Sequence, residues 1–160
     1  MAHVMKQIET ERKFLVRDDS FLARAVRSYH IKQGYIAHDG GNTVRVRIRD
    51  GQGFITVKGP FLNRTSRFEW EKEIPLEEAE ALVLLCHGGL IDKTRHIVPF
   101  AGRLFEVDVF HGGNQGLVMA EIELKSPGEP FERPAWLGEE VTGDKRYYNS
   151  HLLVNPYQNW

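Results

Sequence analysis

Apolar and polar residues alternate one by one through most of this chain. In Thr43-Val44-Arg45-Val46-Arg47-Ile48-Arg49, Val44, Val46 and Ile48 fall on one face and Arg45, Arg47 and Arg49 on the other, the two-residue period of a β-strand. Asp50-Gly51-Gln52-Gly53 predicts a hairpin turn into a strand over Phe54 to Lys58, so these two strands should pair antiparallel. The same period marks Ile8 to Val16, Ser28 to Ala37, Arg67 to Ile74, Leu90 to Phe100, Arg103 to Phe110 and Leu117 to Lys125. Asp18-Asp19-Ser20 offers an N-cap to a short helix over Phe21 to Arg27. Pro75 opens a helix over Leu76 to His87, with Glu77, Glu78 and Glu80 near its positive end and Gly88-Gly89 ending it. Gly59 to Thr65 reads as a loop, and the stretch with Pro127, Pro130 and Pro134 as irregular until a helix over Asp144 to Val154. About eight strands joined mostly by short turns predict a β-rich α+β domain over residues 1–160. Its sheet is largely antiparallel and closed into a barrel, with flanking helices and a C-terminal helix.

Composition narrows the function classes. The 160 residues are 41% hydrophobic and 27% charged, ordinary for a globular protein. A net charge of −1 argues against a protein built to coat nucleic acid. One cysteine, Cys86, precludes an internal disulfide or a cysteine metal cage, and its apolar run, Ala81 to Cys86, reads as a packed thiol. No apolar run nears the ~20 residues of a membrane span, and the N-terminus lacks a signal-type apolar region. A cytoplasmic protein without a membrane partner is expected. Met1 to Met5, with His3, reads as a start-site variation or an appended remnant.

On at least five strands the polar half of the alternation is almost purely charged. Basic residues concentrate on some (Arg45, Arg47, Lys58, Lys93, Arg95) and carboxylates on others (Glu9, Glu11, Glu69, Glu71, Glu106, Asp108, Glu121, Glu123). Periodicity alone leaves open which face points inward. An apolar interior would make a carrier of small hydrophobic ligands. A charged interior would be costly unless paired or filled, and its natural guest is a polyanion carrying a divalent metal. The Arg fork suits phosphate, and carboxylates suit Mg²⁺ or Mn²⁺ on the same phosphates. The seven His show no ligand spacing, Trp70 and Trp136 read as packing against helices, and Gly112-Gly113-Asn114 lacks the Lys of a phosphate loop.

Glu9-Thr10-Glu11-Arg12-Lys13 resembles the ExExK signature of the CYTH superfamily, the triphosphate tunnel metalloenzymes. The likeness continues through Gln33-Gly34-Tyr35, Thr43 to Arg47, Thr56-Val57-Lys58-Gly59, Glu69-Trp70-Glu71, Lys93-Thr94-Arg95, Glu106 to Phe110, Ala120 to Leu124 and Glu140-Val141-Thr142. It implies an eight-stranded antiparallel tunnel with the charged residues inside. It further implies that Arg45, Arg47, Lys58, Lys93 and Arg95, with Lys13, bind a triphosphate. Glu9, Glu11, Glu121 and Glu123 would hold one or two Mg²⁺ or Mn²⁺ ions, with Asp108 a further ligand or a water-orienting group. Lys13 and Tyr35 match a pair thought to assist attack on the phosphate. The expected activity is metal-dependent release of orthophosphate from a small-molecule triphosphate, chiefly inorganic triphosphate. Nucleoside or thiamine triphosphatase, a CYTH-type adenylyl cyclase and a non-catalytic polyphosphate- or nucleotide-binding module are the alternatives. No nucleic-acid partner is expected, and a homodimer is compatible with this reading.

Overall fold

Alternation along the chain becomes a closed sheet. A computed structural model describes residues 7–160, so the reading of Met1 to Met5 lies outside the described residues. The strands are β1 (Ile8–Val16), β2 (Arg27–Asp39), β3 (Asn42–Arg49), β4 (Gln52–Phe61), β5 (Ser66–Ile74), β6 (Ile91–Phe100), β7 (Arg103–Phe110), β8 (Val118–Glu123) and β9 (Leu137–Glu140). Two α-helices, α1 (Leu76–Val83) and α2 (Asn149–Val154), accompany them. Spatial order is β5-β4-β3-β2-β6-β7-β8-β1, and pairing of β1 with β5 closes eight antiparallel strands into a barrel. One edge of β1 is shared: Ile8 to Thr10 pair with β5, and Phe14 and Val16 pair with the extra strand β9. β9 was invisible to periodicity because four residues after a proline-rich stretch are too few to define an alternation.

The helices are shorter than the sequence predicts. Between β1 and β2 the chain forms a five-residue 3-10 turn, Ser20–Arg24, with no side-chain cap from Asp19. The Val26 N–H already donates to the Ile97 carbonyl at 2.9 Å, so the sheet claims the residues a helix would need. α1 ends at Val83 because Leu84, Leu85 and Cys86 bond back three residues, tightening the last turn, and the His87 N–H then reaches the Tyr35 carbonyl at 3.0 Å. At the C-terminus Asp144 accepts from the Arg146 N–H to start a 3-10 turn, Lys145–Tyr147. Tyr148 is extended, and only then does α2 begin. β4 continues through Pro60 to Phe61, beyond the predicted loop boundary.

The apolar halves of the strands face outward and are covered. Phe14, Val98, Phe105, Val107, Ala120 and Ile122 pack under Phe21, Trp136 and Leu137. α1 lies on β3 and β4, where Gly53 allows the approach: a Cβ there would sit 2.5 Å from that of Ala79. Trp136 packs edge-on against Phe105 of β7 at 5.4 Å and against Phe21 of the 3-10 turn at 5.9 Å, and Trp70 is 38% exposed. Ile91, Phe110 and Met119 share the inward parity of Lys93, Asp108 and Glu121, and with Leu152 of α2 they fill one end of the barrel. Among the described residues no helix is long and apolar enough to cross a membrane.

Candidate active site

Putting apolar residues outside turns every charged half-strand inward. The lumen is a cavity of about 560 Å³. It is lined by Glu9, Glu11 and Lys13 of β1, Tyr35 of β2, Arg45 and Arg47 of β3, Lys58 of β4, Lys93 and Arg95 of β6, and Glu121 and Glu123 of β8. Of the sequence-derived candidates only Asp108 lies behind this surface. It is 1% exposed and bound by Lys93 at 2.8 Å and by both sides of the Arg95 fork at 2.7 and 2.9 Å. Both its oxygens are taken, which suits holding two cations in place.

Charges inside are largely paired. Lys58 reaches Glu9 at 3.1 Å and Glu69 at 3.0 Å, Arg45 reaches Glu71 at 3.3 Å, and Lys13 reaches Glu121 at 3.8 Å. Arg95 also holds Glu106 at 3.0 Å. Among the described residues Arg47 has no such partner: its Nε donates to the Gln33 side-chain Oε1 at 2.7 Å. Gln33 in turn donates to Asn149 of α2 at 3.0 Å, and Lys93 donates to the same Asn149 oxygen at 2.9 Å. Sequence reasoning gave Gln33 and Asn149 no role. Gln33 carried a faint signal, as an inward-parity polar residue two before Tyr35; Asn149 sits in an aperiodic tail and carried none.

Burial and crowding leave the cations and carboxylates unevenly charged. Lys93 is brought down to about 7 by burial, against Asp108 and aided by Arg95 and Arg47. Burial and then Arg45 and Arg95 lower Arg47 to about 9. Desolvation in the lumen, then Glu121 and Glu9, push Glu11 well above the usual carboxylate range, and desolvation also raises Glu9. Glu121 resists desolvation and falls well below that range because Lys13 and Arg95 face it. Lys13 is raised, since Glu121, Glu11 and Tyr35 together outweigh its own desolvation.

The carboxylate group fits a hard divalent cation chemically. Glu11 and Glu9 repel each other and Glu121 inside a desolvated space, a deficit of positive charge that an oxygen-seeking ion would relieve. Among the described residues no three acidic or His side chains already enclose one point, because Glu9 and Glu121 are turned to Lys58 and Lys13.

Outside the barrel a second network holds β1. Arg12 forms a two-pronged ion pair with Glu140 at 2.8 and 2.7 Å. Thr142 donates to Glu140 at 2.7 Å and accepts from the Lys13 backbone N–H at 2.9 Å. Glu140 is held at about 2, chiefly by Arg12. The signature residues Arg12 and Lys13 therefore face opposite ways, one fastening β1 and the other reaching into the lumen.

A closed antiparallel barrel whose lumen sets guanidinium and ammonium groups against carboxylates defines a polyanion-binding tunnel. The CYTH domain model matches residues 7–149, and the chain belongs to that family. It is 46% identical to an inorganic triphosphatase of Acetivibrio thermocellus over 95% of this chain and 97% of that one. It is 35% identical to an inorganic triphosphatase of Nitrosomonas europaea over 92% and 97%. A crystal structure of an inorganic triphosphatase superposes with a TM-score of 0.64 at 33% identity, covering 91% of this chain and 94% of that one. Triphosphatases of this family are metal-dependent.

Proposed function

We propose that this chain is a metal-dependent triphosphatase that hydrolyses inorganic triphosphate within its barrel. Water attacks a terminal phosphorus, the bridging P–O bond breaks, and orthophosphate and pyrophosphate leave. What carries the reading is a cation-lined lumen of about 560 Å³ in a chain 46% identical to a named inorganic triphosphatase.

Each residue has a task in this scheme. Arg45, Arg47, Lys58, Lys93 and Arg95 grip the phosphate oxygens, the arginines through two-pronged hydrogen bonds. Gln33 and Asn149 fix the directions of Arg47 and Lys93, so the cradle is set before substrate arrives. Lys13, kept charged by Glu121, and Tyr35 beside it orient the attacking water. Glu9, Glu11, Glu121 and Glu123 would hold the Mg²⁺ or Mn²⁺ ion or ions. Such an ion would draw charge from the phosphoryl oxygens and acidify a bound water. Asp108 keeps Lys93 and Arg95 together rather than meeting the metal. A cytoplasmic place of action is part of the same proposal and rests on the single cysteine.

The test is a phosphate-release screen of triphosphate, pyrophosphate, ATP and thiamine triphosphate, each with Mg²⁺ and with Mn²⁺. Triphosphate should be cleaved most efficiently. A clear preference for ATP or thiamine triphosphate would move the chain to the nucleoside or thiamine branch, and cyclic AMP formation from ATP would make it a cyclase.

A further inference from the structure

Arg49 is the third guanidinium of β3, in line with Arg45 and Arg47, and it lines the lumen. It ends β3 just before the Asp50-Gly51 hairpin, at the barrel end opposite the one that α2 fills. Tyr29 of β2 and Phe54 of β4 flank it, with ring centroids 4.7 and 4.8 Å from its central carbon. Such a cation–π sandwich fixes the plane of a guanidinium without neutralising it. Its hydrogen bonding is poor: Nη2 reaches the Gln52 side-chain Oε1 at a long 3.4 Å, and the buried Nε has no partner among the described residues. Among the described residues no carboxylate lies within 4.0 Å of it, whereas Arg45, Lys58, Lys93 and Arg95 all have one. Arg47, Arg67 and Lys145 also line the lumen without such a partner, but Arg47 is held by the Gln33 side chain at 2.7 Å, and Arg67 and Lys145 lie off β3.

We propose that Arg49 is a further substrate-binding residue: it forms an outer phosphate subsite at the open mouth, next to Arg47, and makes the lumen select three linked phosphates over two. The proposal rests on the triphosphatase reading. Proteins rarely keep a guanidinium both oriented and under-bonded, because buried donors normally find partners. An anion spanning from Lys93 and Arg47 outward would supply them. Pyrophosphate, one phosphate shorter, would occupy the inner cations and leave Arg49 unused. Arg47 and Arg49 lie two residues apart on one strand, roughly 7 Å by strand rise, so the outer subsite is continuous with the inner one. The aromatic flanks explain why Arg is needed here: a lysine keeps the charge but loses the planar stack and the fork.

The experiment measures binding apart from turnover. Triphosphate and pyrophosphate are titrated calorimetrically into the metal-free wild type, Arg49→Met and Arg49→Lys, with melting curves run on each. Arg49→Met should weaken triphosphate binding by roughly 10- to 100-fold, the scale of one charge-assisted hydrogen-bonded contact. Pyrophosphate binding should stay within about threefold, and melting temperatures should be close to that of wild type. Arg49→Lys should lie between, and it carries the test if the methionine variant does not fold. Unchanged triphosphate affinity, or equal losses for both anions, would overturn the proposal. Failure of the wild type to hydrolyse triphosphate would count against the triphosphatase reading alone, since the binding comparison decides the role of Arg49 by itself.

Discussion

Replacing Asp108 by Asn tests how the cation cradle is held. Asp108 and Lys93 are each 1% exposed, and Arg95 is 8% exposed. The carboxylate makes an ion pair of 2.8 Å to Lys93 and a two-pronged one of 2.7 and 2.9 Å to Arg95. Removing one partner of a buried ion pair typically costs about 3–5 kcal/mol, because the other charge is left uncompensated. Two cations would be stranded here, but Lys93 already sits at about 7 and can escape by losing its proton. Arg95 cannot, so the loss should fall near the lower limit, about 3 kcal/mol, or roughly 6–12 °C in melting temperature for a chain of this size. The variant also carries one more uncompensated positive charge facing the lumen. An anion there should restore much of the loss: ligand at 100 times its Kd adds about 2.7 kcal/mol. The assay is thermal unfolding of wild type and Asp108→Asn in metal-free buffer, with and without triphosphate. A variant as stable as wild type, or one that triphosphate fails to rescue, would refute the idea that Asp108 serves the cations. A large loss of metal affinity without loss of stability would make it a metal ligand instead.

Other expectations follow from single contacts. Arg47→Ala should weaken triphosphate binding by about 1.5–3 kcal/mol or more by calorimetry, and Arg47→Lys should recover only part of that. Tyr35→Phe should lower kcat by roughly 10²-fold or more while triphosphate affinity holds, if its hydroxyl positions the water; an unchanged kcat removes Tyr35 from the chemistry. Glu140→Gln should cost about 1 kcal/mol at neutral pH by chemical denaturation, since its ion pair with Arg12 is partly exposed. The folded-state carboxyl is depressed to about 2 from an ordinary 4.5. Its contribution is therefore fully present above about pH 4.5 and lost as pH falls toward 2, so the wild type and the variant should converge across that window.

Much of this was legible in the residues, and the gaps have physical causes. Val44, Val46 and Ile48 against Arg45, Arg47 and Arg49 fix a strand and its two faces, but the same alternation describes a barrel turned either way. Only the family likeness chose the inward face, and the lumen residues agree with it. The partners that hold the site were harder to see. Gln33, Asn149 and Thr142 act through hydrogen bonds that cross large sequence separations, for example Gln33 to Asn149 and Lys13 to Thr142. No local pattern encodes such a contact. Helix ends were misjudged where backbone groups are captured from outside, as with His87 and Tyr35. Arg49 was visible as a charge, but its aromatic flanks come from two other strands.

The central claim is that hydrolysis occurs in the lumen and needs a cation held by its carboxylates. The most direct measurement follows triphosphate by phosphorus NMR with the wild type and Glu11→Gln, over a titration of Mg²⁺ and of Mn²⁺. Glu11 is a strong choice because its charge is disfavoured in the folded state, so the amide should fold at least as stably. The wild type should release equimolar orthophosphate and pyrophosphate, and none without the metal, while turnover should collapse in a folded Glu11→Gln variant. Metal-independent cleavage, or wild-type turnover by Glu11→Gln at the same metal concentration, would contradict the central claim.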